Sequence, residues 1–296
     1  MSIVVFVAAA MLLSAFEKPP QGNASTQAPA LADPRLSNTL SRVSAAAELF
    51  AASAQQYMSR ESLRQRVIHS GSIRRSKDGE AIIGGGLKYD ARQIESFYAF
   101  TTLGNSRAVR EIRQVIKVDK NNTLSEDEGR KRLRDALLGR DDPAKAAMMS
   151  QFSEVALNGV ATDLGQLILS FGNRGIDRFA FDVEREEVLR DVPCIVIRYT
   201  QKSGKDAVHI NEKGKEIRES LQGWLWASLS DGIPLRITLI TSHKSGRQET
   251  RDEAEVDYAA IPSGALLPAS VIHRRYEDDL LAAEDDFRYA DWQSLK

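Results

Sequence analysis

The sequence predicts an α+β fold: a single large, curved antiparallel sheet, an unclosed half-barrel of about eleven strands, with an N-terminal helix and a mid-chain helical lid. Three observations predict it. An amphipathic helical pattern comes first, two runs of β-type sequence follow, and one helix-rich block separates the two runs. Within each run, turn sequences rather than helices separate the strands, which favours antiparallel pairing.

The N-terminus predicts a signal peptide and flexible lead-in over residues 1–32, followed by one domain over residues 33–296. Residues 3–16 are almost continuously apolar. This stretch is too short to span a bilayer, which needs about 20 residues, but it matches the apolar core of a signal peptide. No Lys or Arg precedes it, so a non-exported chain is the alternative. We expect a periplasmic or secreted protein with no membrane span in the mature chain.

The first helix is predicted from a regular apolar spacing that starts at Leu36. Apolar residues then recur every three or four positions as far as Tyr57, which places them on one side of a helix. Most of them are small, and so the helix is expected to pack closely on a sheet. The positions are Leu36, Leu40, Val43, Ala47, Phe50, Ala54 and Tyr57.

The first β run is predicted to form strands near residues 63–74, 81–87, 94–102 and 108–118. Turn sequences at 77–79 and 104–106 separate them.

The helical block covers residues 125–171 and is the predicted lid. Ser125 with Glu128 forms a capping box at its start. Asp142 followed by Pro143 predicts a second helix with Asp142 as its N-cap, and residues 164–171 form a third, short apolar segment.

The second β run is predicted to contain seven strands, and no helix lies between consecutive strands, which argues against a parallel doubly wound fold. The predicted strands lie near residues 178–186, 192–200, 221–229, 235–243, 253–261, 267–276 and 287–292.

Composition excludes several classes of function. The formal net charge is −1, which gives no long-range attraction for nucleic acid. The single cysteine, Cys194, lies in an apolar strand-like run and is interpreted as a small buried hydrophobe. Residues 84–86 are three glycines without the Lys and Ser/Thr of a phosphate loop. The residues from Asp119 resemble the start of a calcium-binding loop, but Leu124 stands where that loop requires glycine, so no calcium site is predicted. No cofactor and no metal are therefore predicted.

Large apolar side chains give the one functional signal. The strands around residues 192–199 and 223–229 are apolar on both faces and must be covered on both. The strand around residues 179–183 places Phe179, Phe181 and Val183 on one face. The second cover is either the packed core of the sheet or a bound apolar ligand. The candidate ligand-binding residues are Phe179, Phe181, Trp224 and Trp226 on the sheet and Met148, Met149 and Phe152 on the lid.

The order of elements resembles the superfamily of periplasmic lipoprotein carriers and outer-membrane lipoprotein-sorting proteins. At residue level, Gly223-x-Leu225-Trp226 followed by the turn and strand of residues 231–236 is similar to a strand–turn–strand segment of that family. The turn at residues 118–120 is similar to one in secreted bacterial proteins with this fold. The resemblance implies a hydrophobic cavity under the lid that receives acyl chains.

Three functions are therefore weighed. The first is an exported, non-catalytic periplasmic protein that binds a lipid, an acylated protein or another apolar ligand between sheet and lid. The alternative is an envelope interaction or sensory protein with a filled core that acts through its surface on another protein. An enzyme is the third, and it requires His69 or His273 near a carboxylate inside a pocket.

Overall fold

A computed structural model describes residues 34–69, 73–75, 77–78, 81–83, 88–106, 108–158, 160–202, 208–212, 215–245 and 248–295. In these residues the strands, numbered along the chain, are β1 (Tyr57–Ile68), β2 (Ile73–Arg75), β3 (Ala81–Ile83), β4 (Tyr89–Thr101), β5 (Arg110–Val118), β6 (Asn121–Asn122), β7 (Phe179–Leu189), β8 (Val192–Gln201), β9 (Val208–Glu212), β10 (Lys215–Glu219), β11 (Gln222–Ser228), β12 (Pro234–Ser245), β13 (Gln248–Ala260), β14 (Leu266–Glu277) and β15 (Leu280–Ser294).

Eleven of these strands form one antiparallel, unclosed sheet, which confirms the predicted fold class. Their order in space is β6-β5-β4-β1-β15-β14-β13-β12-β11-β8-β7. The first and last long strands, β1 and β15, pair with each other near the middle of the sheet. Most other neighbours are consecutive in sequence, as expected for strands joined by short turns.

The main sheet contains the predicted number of strands, but not all of them are the predicted segments. The segment predicted at 81–87 contributes β3, which pairs with β2 in a separate two-stranded hairpin. The pair β9–β10 forms a second hairpin that was not predicted. The two-residue strand β6 extends the main sheet beyond β5 instead. Residues 84–87 and 1–33, with the predicted signal peptide, lie outside the described residues.

In the described residues, three α-helices accompany the sheet: α1 (Pro34–Ser53), α2 (Glu126–Leu138) and α3 (Asp142–Val155). The Ser125 hydroxyl caps α2 by accepting a hydrogen bond from the amide of Glu128, as the capping box predicts. The N-cap of α3 is Asp141, one residue before the predicted cap, because its carboxylate accepts from the amide of Ala144. Asp142 instead accepts a hydrogen bond from the amide of Gly104.

The sheet has two apolar faces that are covered by different elements. The face covered by α1 is called the inner face, and α1 packs on it through Val43, Ala47 and Phe50. The opposite, outer face is covered by α2 at the β4–β5 end, where Leu133 meets Phe97 in a separate apolar cluster. Strand alternation explains the division, because successive side chains of β4 point to opposite faces.

The helical insert is therefore split between the two faces. After α3, the chain passes to the inner face, where residues 156–158 and 160–171 lie against the same core as α1. This segment, called the strap, ends in the short 3₁₀ helix Leu167–Phe171. The strap covers most of the inner face beside α1, and α3 adds Phe152 and Val155 at its end, whereas α2 packs on the outer face.

Candidate functional site

The seven predicted ligand-binding residues lie on both faces of the sheet, and three of them contribute to the inner face. Phe179 and Phe181 lie on β7, and Phe152 lies on α3. The ring of Phe171, in the strap, is 5.3 Å from that of Phe179 and 4.9 Å from that of Tyr199, measured between centroids. These aromatic contacts connect the strap to the β7 end of the sheet.

Apolar side chains of the strap fill the space over the inner face. Leu164, Leu167, Ile168 and Phe171 are at most 8% exposed, and Ile168 and Phe171 are fully buried. They pack with α1 and with strands from both ends of the sheet in one continuous core. The space between these side chains and the sheet is thus occupied by the side chains of one core.

Buried polar side chains of the sheet bind the backbone of the strap. The side-chain amide of Gln65 accepts from the amide of Leu157 at 2.6 Å and donates to its carbonyl at 3.3 Å. The carboxylate of Glu111 accepts from the amides of Asp163 and Gly165 at 2.9 and 2.7 Å. Asp285 accepts from the amide of Ala161 at 3.2 Å. Charge-assisted bonds of this kind are stronger than neutral ones, so the strap is held by polar as well as apolar contacts.

Arg113 joins these carboxylates beneath the strap. Its guanidinium is bonded to Glu61 at 2.9 Å and to Glu111 at 2.8 Å, and all three side chains are at most 3% exposed. The guanidinium also lies 4.7 Å from the ring centroid of Phe152 and 5.1 Å from that of Phe287. Burial raises the pKa of Glu61 to about 7, although the charge of Arg113 opposes this. The cluster is fully paired, as a buried charge must be.

His273 meets only one of the two conditions set for an enzyme. It lies between two carboxylates, with Nδ1 3.0 Å from Asp285 and Nε2 2.9 Å from Asp252. Its side chain is 3% exposed, and both ring nitrogens are occupied by these bonds. No ring atom is free to exchange a proton with a substrate, so His273 is part of the support of the strap through Asp285.

The other four predicted residues lie on the outer face. Met148 is buried in the cluster between α2 and the β4–β5 end, and Met149 packs against it. Trp226 is buried at the other end of the sheet with Cys194 and Val196, and Trp224 packs beside them. The prediction that both tryptophans share one face agrees with the structure, but that face is not the one covered by the strap. The seven residues are therefore not brought together at one place.

Sequence reasoning missed the polar residues that hold the strap: Gln65, Glu111, Arg113, Asp163 and Asp285. In a strand, Glu111 and Arg113 lie two positions apart and share a face with the apolar Val115. A pair of opposite charges on the apolar face of a strand was the available signal, because such charges are buried only when they are paired.

The described part of the chain contains neither a metal-binding cluster nor a membrane-spanning helix. No group of three or more His, Cys, Asp or Glu side chains there has an arrangement able to hold a metal ion. No helix there has both the length and the apolar composition needed to cross a bilayer.

Comparison with known proteins gave structural matches only. No family model matches the chain, and no curated protein matches it. A DUF1329 family protein from Desulfovibrio piger matches with a TM-score of 0.34 and 11% identity, covering 88% of this chain and 93% of that one. A domain from Vibrio parahaemolyticus described as an outer-membrane lipoprotein-sorting protein matches with a TM-score of 0.35 and 5% identity, covering 87% and 92%.

A complex of MucA and MucB from Pseudomonas aeruginosa also matches, with a TM-score of 0.18 and 10% identity, covering 85% of this chain and 98% of that one. Because TM-scores and identities of this size do not establish a shared function, they carry none to this chain.

Proposed function

We propose that this protein is a non-catalytic, exported binding protein of the bacterial envelope that holds one apolar chain on its inner face in place of the strap. The ligand class is the acyl chain of a lipid or of an acylated protein. One observation carries the proposal: the strap places a discrete set of four large apolar side chains on an otherwise continuous apolar face. The structure described above is then the closed, ligand-free form.

An acyl ligand must displace the strap, so its affinity depends on the difference between the two burial energies. Burying four large apolar side chains is worth about 6–12 kcal/mol, and burying roughly 14 methylenes of an acyl chain is worth about 11 kcal/mol. The apolar terms nearly cancel. The hydrogen bonds from Gln65, Glu111 and Asp285 to the strap therefore favour the closed form, and a single acyl chain binds weakly until those bonds are loosened.

The test is to weaken one of these attachments and to measure binding of a fluorescent acyl probe, cis-parinaric acid. Gln65→Leu removes both hydrogen bonds to Leu157 and keeps the rest of the sheet. We expect it to bind the probe at least about fivefold more tightly than the unmodified protein, since one lost hydrogen bond is worth about 1 kcal/mol. Arg64→Leu is the matched control, because the exposed neighbour Arg64 gains the same side chain away from the strap.

Lipid extraction and native mass spectrometry of protein purified from the periplasm provide the second measurement. Retained lipid supports the proposal. If hydrogen exchange shows that Gln65→Leu loosens the strap, and yet neither probe nor retained lipid is found in either protein, the inner face is only a packed core.

The second candidate is an envelope interaction or sensory protein with a filled core. The filled inner face favours it, and so does the outer face around Trp224, Trp226 and Leu235, which no described helix covers. A pull-down from envelope extracts tests it. A captured protein that is lost with Trp224→Ala and kept with Leu49→Ala, an exposed residue of α1, supports this candidate. An empty pull-down counts against it.

A further inference from the structure

A small pocket lies on the outer face, where the first turns of α2 pass over the ends of β1, β4 and β15. Its volume is about 90 Å³. Met58 and Phe97, each 4% exposed, form its apolar floor, and Asp291 and Gln293 stand exposed at its mouth. The full lining is Met58, Ser59, Arg60, Phe97, Glu126, Arg130, Asp291 and Gln293.

Two of the four charged side chains in this lining are paired and two are not. Arg60 is bonded to Glu126 at 2.9 Å and to Glu95 at 2.6 Å. Within the described part of the chain, neither Arg130 nor Asp291 has an ion-pair partner. The guanidinium of Arg130 lies 5.3 Å from the ring centroid of Phe97, and its buried Nε has no hydrogen-bond partner.

Asp291 is held in an uncommon backbone conformation at the same place. Met58 pairs with Gln293 and Arg60 pairs with Ala290, so two residues of β15 stand opposite Ser59 in a β-bulge. Asp291 lies in this bulge with a φ of 55°, in the left-handed region that non-glycine residues seldom adopt. Bulges and left-handed residues are concentrated at functional sites, where they re-aim side chains.

The charges select the chemistry of the ligand. The four charged side chains cancel, so the pocket attracts neither a simple anion nor a simple cation. A molecule with both charges satisfies both unpaired groups, because a carboxylate can accept two hydrogen bonds from a guanidinium and an ammonium group can donate to Asp291. An apolar cavity of about 150 Å³ holds the six heavy atoms of benzene, so this pocket encloses about four, and the ammonium group of a small ligand lies at its exposed mouth beside Asp291.

We propose that this pocket binds a small zwitterion, a free α-amino acid of the size of glycine or alanine. Its carboxylate lies on Arg130 and its ammonium group on Asp291, and the floor of Met58 and Phe97 excludes water from one side. This site lies on the face opposite the strap and is independent of the acyl ligand.

Isothermal titration calorimetry with glycine and alanine tests the proposal, with acetate and methylammonium as probes that carry one charge each. We expect glycine to bind at least about tenfold more tightly than either single-charge probe, since tenfold corresponds to about 1.4 kcal/mol. Arg130→Gln and Asp291→Asn should each weaken glycine binding by at least about tenfold. Asparagine tolerates the left-handed conformation, and so Asp291→Asn changes the charge while keeping the bulge.

Arg134→Gln is the matched control, because Arg134 is exposed on the same helix and is not part of the pocket lining. Thermal unfolding checks that every variant folds. The proposal is overturned if glycine and alanine give no binding up to about 50 mM, which would fill a site with a Kd of about 10 mM. It is also overturned if acetate binds as tightly as glycine, or if Arg130→Gln binds glycine as the unmodified protein does.

Discussion

Single residues in this protein fix the position of the strap through buried charge. Arg113 holds Glu61 and Glu111, and Glu111 in turn binds the strap amides of Asp163 and Gly165. Burial of an ion pair gives little net stability, because desolvation offsets the attraction, but removal of one partner leaves an uncompensated charge. Such a cluster therefore specifies one arrangement of the strap, where an apolar contact would tolerate several.

His273 gives the protein a pH-dependent stability. Burial lowers the pKa of His273, but its hydrogen bonds to Asp252 and Asp285 and their charges outweigh this and raise it to about 9. The pKa is raised above its ordinary value of 6.5. The protonated ring therefore contributes fully to the free energy of unfolding below pH 6.5, and this contribution is lost as the pH rises through 9. We expect the free energy of unfolding to fall by about 3 kcal/mol over this range, at 1.36 kcal/mol for each unit.

Urea unfolding between pH 6 and pH 10 measures this effect. His273→Gln should be less stable at pH 6 and should lack the decline that the unmodified protein shows between pH 6.5 and 9. The matched control is His69→Gln, at the exposed end of β1, which should keep the decline. If His273→Gln keeps the pH profile of the unmodified protein, the pH-dependent stability does not come from His273.

At the scale of elements, α2 depends on a close approach to the sheet at Gly129. A Cβ at this position would lie 2.3 Å from Cγ2 of Ile116, closer than real atoms approach. Alanine normally favours a helix over glycine by about 1 kcal/mol, but here we expect Gly129→Ala to destabilise the protein, by about 1–3 kcal/mol from overpacking.

Chemical denaturation of paired variants measures this effect. In a double-mutant cycle, Gly129→Ala should cost less in an Ile116→Ala background than in the unmodified protein, because that background lacks the atom that the new Cβ meets. Lys131→Ala, at an exposed position of the same helix, is the control and should be neutral within about 0.5 kcal/mol. If Gly129→Ala is neutral or stabilising, α2 lies farther from the sheet than the close approach at Gly129 described above.

At the scale of the whole molecule, one core joins α1, the strap and strands from both ends of the sheet. Phe50 of α1 contacts the rings of Phe100 and Tyr258 at centroid distances of 5.1 and 6.4 Å. No boundary divides this core. We therefore expect thermal unfolding followed by far-ultraviolet circular dichroism and by tryptophan fluorescence to give coincident transitions.

Phe50→Ala should lower the stability by about 3–5 kcal/mol and shift the single transition without splitting it. Its neighbour Leu49 is 70% exposed, and Leu49→Ala should leave the transition in place. Two separate transitions in the unmodified protein would contradict a single core.

The sequence by itself determined the elements, because their signals are local. The helical spacing from Leu36, the capping of α2 by Ser125 and the alternation in β11 depend on neighbours within a few residues. The turns between strands predict an antiparallel sheet, but they do not separate the hairpins β2–β3 and β9–β10 from it.

Only the tertiary structure decided which apolar face is covered by what. Alternation tells that Trp224 and Leu225 point to opposite faces, but a strand with two apolar faces carries no local mark of which face receives α1 and the strap. It also decided that Gln65, Glu111 and Asp285 bind the strap backbone, and that Arg130 of α2 and Asp291 of the bulge line one pocket. These contacts join residues far apart in the chain, and burial and charge pairing exist only once the chain has folded.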